Sequence, residues 1–132
     1  MITLTMDPKI KIAKDFVEAP GANLDHLSED VKIVGASGTR YGKAELIELF
    51  SKFTSKPFKD TQYEPVGEYV IGDMVFIESV MKGIHVGSYM GIPPSNKLVV
   101  MPSLNVFEFK DDKIVAWRQY QNFKIIADMH NR

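Results

Sequence analysis

Hydrophobic residues recur at helical spacing in the first part of the chain. Asp7 is a favourable N-cap residue and Pro8 suits the first helical position, so a helix is predicted to begin here and to end at Pro20. A short helical segment is predicted over residues 24–27. Over residues 43–53, apolar side chains return every three or four positions, which is typical of an amphipathic helix.

The apolar period changes to two further along, which indicates strands. Residues 31–34 predict a first strand, followed by a loop of small residues at 35–38. Four more strands are predicted at 61–70, 74–86, 98–109 and 114–123. Tight turns are expected at 72–73 and 111–112, and a longer turn at 91–96. Short connections favour a mostly antiparallel, bent sheet with helices on one face, an α+β fold.

Composition and charge narrow the class of protein. The 132 residues fit a single domain, predicted to span 1–132. A net charge of −1 argues against a nucleic-acid partner, and no apolar run is long enough to cross a membrane. There are no cysteines, which excludes disulfides and thiolate metal sites. A soluble, cytoplasmic protein is expected.

Three stretches carry a resemblance to a known group of proteins. They are Ser28-Glu29-Asp30-Val31 with Tyr41-Gly42-Lys43, then Gly-Ile-Pro-Pro-Ser-Asn-Lys at 91–97, and the hairpin at 107–117. With the order of elements, they resemble the nuclear transport factor 2-like superfamily, in its branch of SnoaL-like polyketide cyclases and limonene epoxide hydrolases, over about residues 8–125. The resemblance implies a cone-shaped curved sheet that encloses a pocket with the N-terminal helices.

The resemblance also says where catalytic groups would stand, and these positions depart from the pattern. The five residues aligned with the hydrolase set are Ser79, Met81, Gln119, Ile33 and Gly35. None of these side chains can gain and lose a proton near neutral pH, as general acid–base catalysis requires. Epoxide hydrolysis by the family mechanism is therefore rejected. Cyclisation by a single aspartate base is disfavoured too, because Gln119 takes the place of that aspartate.

The remaining inner positions form a neutral lining. The predicted ligand-binding residues are Gln119, Gln121, Trp117, Ser79, Met81, Met101, Ser103, Asn105 and Phe53. Apolar walls with a few amides and hydroxyls suit an apolar to weakly polar small molecule. A filled core, in which these groups satisfy one another, stays open as the alternative. Pro102 indicates a bulge or an edge strand, and a bulge would turn Ser103 and Asn105 to the other face.

An enzyme with a divergent acid–base set is the alternative function, of the lyase or isomerase type. His85 and Glu64 are its candidate residues, although an exposed strand-end histidine and a solvent-facing glutamate are the plainer interpretations. The three histidines have no metal-ligand spacing and the glycines no phosphate-loop spacing, so no metal and no cofactor are expected.

The opposite sheet face is also apolar along its predicted strands. It carries Leu98, Val100, Leu104, Val106, Phe76 and Val80. An apolar face of this kind marks an interface, so a homodimer through the outer face is predicted, as the resemblance also implies. The alternative is that the C-terminal tail, residues 124–132, covers this face. A dimeric interaction module is the third candidate function, and Arg118 is expected to point outward and to pair with a carboxylate across the dimer.

Overall fold

The helices and strands come in the order that the hydrophobic pattern predicts, with two additions. The computed structural model describes residues 7–35, 38–51, 57–89, 91–122 and 124–130, without the side chains of residues 49–51, 129 and 130. The elements are α1 Pro8–Glu18, β1 Leu27–Gly35, β2 Gly38–Tyr41, α2 Lys43–Ser51, β3 Phe58–Ile71, β4 Met74–His85, β5 Leu98–Lys110, β6 Lys113–Gln121 and α3 Lys124–His130. Two 3₁₀ turns, Pro20–Ala22 and Leu24–His26, join α1 to β1. None of the described helices is long and apolar enough to cross a membrane.

Helix α1 begins and ends where its capping residues stand. The Asp7 carboxylate accepts a hydrogen bond of 2.8 Å from the backbone N–H of Lys9, which satisfies one of the free donors of the first turn. At the other end, the Asn23 side-chain amide donates to the backbone carbonyls of Asp15 and Ala19. The caps therefore stop the helix before Pro20, as predicted.

The six strands of the described residues belong to one curved, unclosed sheet in the order β2-β1-β6-β5-β4-β3. Neighbouring strands are antiparallel except β1 and β6, which are parallel. The hairpin turns predicted at 72–73 and 111–112 are present, with Gly72 and Asp111 at φ of 59° and 55°. The α+β fold with a mostly antiparallel sheet and N-terminal helices is thus confirmed.

The two faces of the sheet differ in what covers them. We call the face against α1 the inner face and the opposite one the outer face. Alternation along β4 and β5 gives the inner face its buried side chains, among them Val75, Ile77 and Phe107, which pack on Ala13 and Phe16 of α1. The inner face therefore holds the core.

Helix α3, which the sequence pattern does not predict, also packs on the inner face. Its Ile126 is fully buried against Met81, Val99 and Met101. The alternative that the C-terminal tail covers the outer face is wrong for the part of the tail that the structure describes. Three apolar partners on two strands hold this short helix at the end of the sheet farther from α1.

The predicted bulge at Pro102 is absent. The register between β4 and β5 runs without interruption through Val80↔Pro102, so Ser103 and Asn105 stay on the inner face with Val99. A register shift occurs instead in β3, between Pro65 and Gly67, where Val66 has no partner on β4. This β3 bulge changes which side chains of β3 face inward.

Candidate functional site

A band of neutral polar side chains crosses the inner face of three adjacent strands. Its members, which we call the polar belt, are Ser79 of β4, Ser103 and Asn105 of β5, and Gln119 and Gln121 of β6. The strand register places them in two rows, Ser79↔Ser103↔Gln121 and Asn105↔Gln119. Because directly paired residues have Cβ atoms about 5 Å apart, these side chains are neighbours.

The polar belt is buried at its centre. Ser79, Ser103 and Asn105 expose 4%, 6% and 1% of their surface, and both glutamines are half-buried. The two serine hydroxyls lie 3.3 Å apart and share one hydrogen bond. Polar groups are buried at a free-energy cost unless they are hydrogen-bonded. The placement of hydrogen-bonding groups here, inside an otherwise apolar face, therefore needs an explanation.

Three aromatic rings, those of Phe16, Phe107 and Trp117, pack together beside Asn105 of the belt, and we call them the aromatic floor. Trp117 donates from Nε1 to Oδ1 of Asn105 at 2.8 Å. The indole ring meets Phe16 edge-on at a centroid distance of 4.8 Å and lies parallel to Phe107 at 6.3 Å. These contacts limit the motion of Trp117, and through it they fix Asn105.

The structure brings most of the predicted binding residues to one surface. Met81 and Met101 are buried beside the belt on the inner face, where they contact Ile126 of α3. Phe53 lies outside the described residues, so its predicted role stays a prediction. The alternation of two residues along β4, β5 and β6 was the signal that located this surface.

His85 is not the exposed strand-end histidine of the plainer interpretation. Its side chain is fully buried on the inner face, and its ring lies 5.3 Å from that of Phe58. It is also far from the belt, because the six residues of β4 from Ser79 to His85 span roughly 20 Å. His85 therefore cannot exchange a proton with a group bound at the belt.

Glu64 does not lie on the inner face, which corrects its proposal as a catalytic carboxylate and agrees with the plainer interpretation of a solvent-facing glutamate. It pairs in register with Val80 on the outer face, is exposed, and forms an ion pair of 3.1 Å with Lys82. The β3 bulge is the reason: beyond Val66 the faces exchange, and Glu68 turns inward opposite Ile77.

Glu68 is the inward carboxylate that sequence reasoning missed. It forms an ion pair of 2.9 Å with Lys14 of α1. Although it lies in the register row of Gln119, it is three strands away, roughly 14 Å at the usual strand spacing. The signal for it was present, since proline and glycine on either side of Val66 mark an irregular strand. In the described residues, no group of three His, Asp or Glu side chains could hold a metal ion.

A small cleft opens between α1 and the β3 bulge. It is lined by Lys14, Val17, Glu18, Tyr63, Pro65, Glu68, Ile77 and Ser79. Its volume of about 20 Å³ holds one water molecule but no organic ligand. Burial raises the pKa of the Tyr63 phenol, and the Glu18 carboxylate raises it further. The cleft thus offers a neutral hydroxyl beside Ser79, and it is not itself large enough to be the ligand site.

Comparison with known proteins identifies the family. The model of the SnoaL-like polyketide cyclase family matches residues 19–128. The chain belongs to this family. The match covers α2, all six strands and most of α3, so the SnoaL-like assignment rests on the whole sheet. The comparison with curated proteins gives no significant match.

Solved structures agree with the SnoaL-like fold. A candidate SnoaL-like polyketide cyclase from Jannaschia sp. CCS1 is 16% identical, with a TM-score of 0.75 and 96% of both chains covered. IdmH, a candidate polyketide cyclase from Streptomyces antibioticus, is 19% identical, with a TM-score of 0.74, covering 96% of this chain and 100% of that one. A protein with a ketosteroid isomerase-like fold from Catenulispora acidiphila DSM 44928, solved in complex with trimethylamine, is 18% identical, with a TM-score of 0.71, covering 96% and 95%. At these identities the likeness establishes the fold alone.

Proposed function

We propose that this SnoaL-like protein binds an uncharged, apolar to weakly polar small molecule against the polar belt. The observation that carries the proposal is the burial of Ser79, Ser103 and Asn105 together on the inner face. These three groups are neutral, they converge, and they stand among apolar and aromatic side chains. That is the composition of a small-molecule site, in which few polar groups fix the orientation of a mostly apolar ligand.

The positions of the ionisable candidates support binding rather than acid–base chemistry at the belt. Glu64 faces outward, and His85 lies roughly 20 Å along β4 from Ser79. Glu68 lies on β3, next to the strand of Ser79, but it is held in an ion pair with Lys14. A bound molecule would therefore meet amides and hydroxyls, which orient it but do not move its protons.

The direct test is native mass spectrometry of the protein purified under mild conditions, followed by extraction and identification of any bound compound. We expect a stoichiometric adduct whose mass corresponds to a neutral organic molecule. Purified protein that carries nothing, and that binds nothing from an extract of its host, would contradict the proposal.

The change Gln119→Leu is expected to weaken binding of the identified compound by about tenfold, the equivalent of one lost hydrogen bond. Gln119 lies next to Asn105 on the inner face, so the leucine replaces a polar contact by an apolar side chain. Affinity is measured by calorimetry, and the oligomeric state is expected to stay the same. Gln62→Leu is the matched control, because it makes the same change at an exposed position of β3. If both variants bind the compound as tightly as the parent protein, Gln119 does not contact the ligand.

Cyclase-type catalysis is the second candidate, and the family match is the observation that favours it. A catalytic protein would return the identified compound changed. Incubation with that compound, followed by chromatography of the recovered material, separates the two functions. A new isomer formed in proportion to time and protein concentration favours catalysis, and recovery of the unchanged compound favours binding.

We also propose that two copies associate through the outer face. Leu98 and Val100 of β5 expose 56% and 43% of their surface there, and Tyr120 of β6, opposite Leu104 on the same face, is exposed as well. Helix α3 lies on the other face, so it leaves this row uncovered. A second copy of the chain is a suitable partner for this face, because two chains with a net charge of −1 each repel one another only weakly. Arg118 faces outward as predicted and pairs at 2.7 Å with Glu108 of the same chain. Its pairing with a carboxylate across the dimer stays a prediction.

Glutamates at Leu98 and Val100 together are expected to convert the dimer to a monomer, because carboxylates would then be buried without partners in the interface. Light scattering should show the mass fall from twice 14.9 kDa to 14.9 kDa. Tyr41→Glu is the control, since it places the same charge on an exposed apolar residue of the edge strand β2. A parent protein that is already monomeric at tens of micromolar would overturn the dimer.

A further inference from the structure

The side-chain amide of Asn105 has a fixed orientation. An indole N–H can only donate a hydrogen bond, so the atom that it meets at 2.8 Å must be the amide oxygen of Asn105. Trp117 is in turn held by Phe16 and Phe107. The amide nitrogen of Asn105 therefore points away from Trp117 and cannot exchange places with the oxygen.

The amide nitrogen is left with a hydrogen-bonding capacity that the described part of the chain does not use. Asn105 is 1% exposed, and its Nδ2 has no hydrogen-bond partner among the described residues. Buried donors of this kind are nearly always paired, because water no longer solvates them. The oxygen of Gln121, also buried in the belt, has no partner in the described ranges either.

From this geometry we infer that the ligand presents an uncharged hydrogen-bond acceptor to Asn105, of the carbonyl type. The inference rests on the proposed binding function and adds the polarity of the bound molecule. An acceptor fits because Nδ2 can only donate. A carboxylate does not fit, because the five residues of the polar belt include no cation to neutralise a buried charge.

Trp117 supplies a reporter at the site itself. It is the sole tryptophan of the chain, so its indole N–H gives a single NMR signal, and this N–H is bonded to Asn105. The probes are cyclohexanone and methylenecyclohexane, which have nearly the same shape but differ in the acceptor oxygen. We expect cyclohexanone to shift the indole signal and to bind about tenfold tighter than methylenecyclohexane, the advantage of one buried hydrogen bond.

The change Asn105→Leu removes the donor while keeping the number and branching of the side-chain heavy atoms. In this variant the two probes are expected to bind about equally. Gln62→Leu, at an exposed position of β3 outside the belt, is the control and is expected to keep the full preference for cyclohexanone. A preference that survives in Asn105→Leu would place the acceptor elsewhere and overturn the inference. Equal binding of both probes to the parent protein would overturn it too, while leaving the binding function in place. If neither probe binds, the proposed function itself fails.

Asn105→Leu leaves the indole N–H without an acceptor and can therefore prevent folding, so a second variant is needed. Trp117→Phe retains Asn105 but frees its oxygen, and the amide can then turn either group inward. Pyrrole, a donor without a carbonyl oxygen, is expected to gain affinity at least threefold in this variant, measured by saturation-transfer NMR. An unchanged preference for cyclohexanone with no gain for pyrrole would show that Trp117 does not fix the amide, contrary to the inference.

Discussion

Replacement of Phe16 by alanine is expected to lower the free energy of unfolding by about 3–5 kcal/mol, the usual range for a fully buried phenylalanine. Phe16 is completely buried, and it is the ring of the aromatic floor that comes from α1. Its ring meets Phe107 and Trp117 edge-on, both at 84°. The alanine would remove these contacts and leave a cavity between the helix and the sheet.

Urea denaturation followed by far-ultraviolet circular dichroism measures this effect. Phe16→Leu is the first control and is expected to lose less than half as much, because it fills most of the volume. Val17→Ala is the second, since Val17 is only half-buried on the same helix. The effect should also reach the site, because a looser Trp117 no longer holds the oxygen of Asn105. A loss below about 1 kcal/mol would contradict the packing of α1 described above.

Most of the elements could be predicted from the sequence because each depends on local signals. Asp7 and Pro8 begin α1, and the return of apolar residues every three or four positions marks α2. Period-two alternation locates β3 to β6 to within three residues at each end. Within α2 the pattern was less reliable: Leu46 is buried as expected, but Ile47 is exposed.

Elements that depend on distant partners were missed. Strand β2 follows small residues that favour a loop, and it forms because its residues pair with β1, as in Ile33↔Arg40. Nothing in the local pattern indicates that β1 lies parallel to β6. The order of strands is a tertiary property, which the packing of the whole sheet decides.

The irregularities of the sheet show a similar limit. Pro102 and Pro65 both interrupt a predicted strand, but only the second accompanies a bulge. The difference is that Pro65 is followed two residues later by Gly67. Proline and glycine both disfavour a regular strand, and together they disturb the register. One unpaired residue then decides that Glu68 rather than Glu64 faces inward.

The sequence predicted which residues of the candidate site lie on the inner face, because side chains alternate between the two faces along each strand. Ser79, Ser103 and Asn105 share a face because they lie an even number of residues from buried apolar positions. The hydrogen bond from Trp117 to Asn105 was not predictable, because it joins residues in different register rows of two strands. That bond determines which atom of the amide a ligand would meet.

Replacement of Ile126 by aspartate is expected to undock helix α3 from the inner face. An isolated helix of this length is not stable in water, so its structure depends on tertiary contacts. Ile126 makes those contacts with Met81, Val99 and Met101, and a carboxylate there would be buried among apolar groups. We expect a loss of about 3–5 kcal/mol in the free energy of unfolding, or release of the helix with a smaller loss.

Hydrogen exchange distinguishes the two results, because a released helix loses the protection of its amides while the strands keep theirs. Lys124→Asp is the matched control: it adds the same carboxylate to the exposed start of α3 and removes only the surface ion pair with Asp128. This variant is expected to change the stability by less than about 1 kcal/mol. Unchanged protection of α3 in Ile126→Asp would contradict the docking. Release of α3 would uncover Met81 and Met101 beside the polar belt. If α3 forms one side of the ligand site, an apolar ligand should bind Ile126→Asp more weakly than Lys124→Asp.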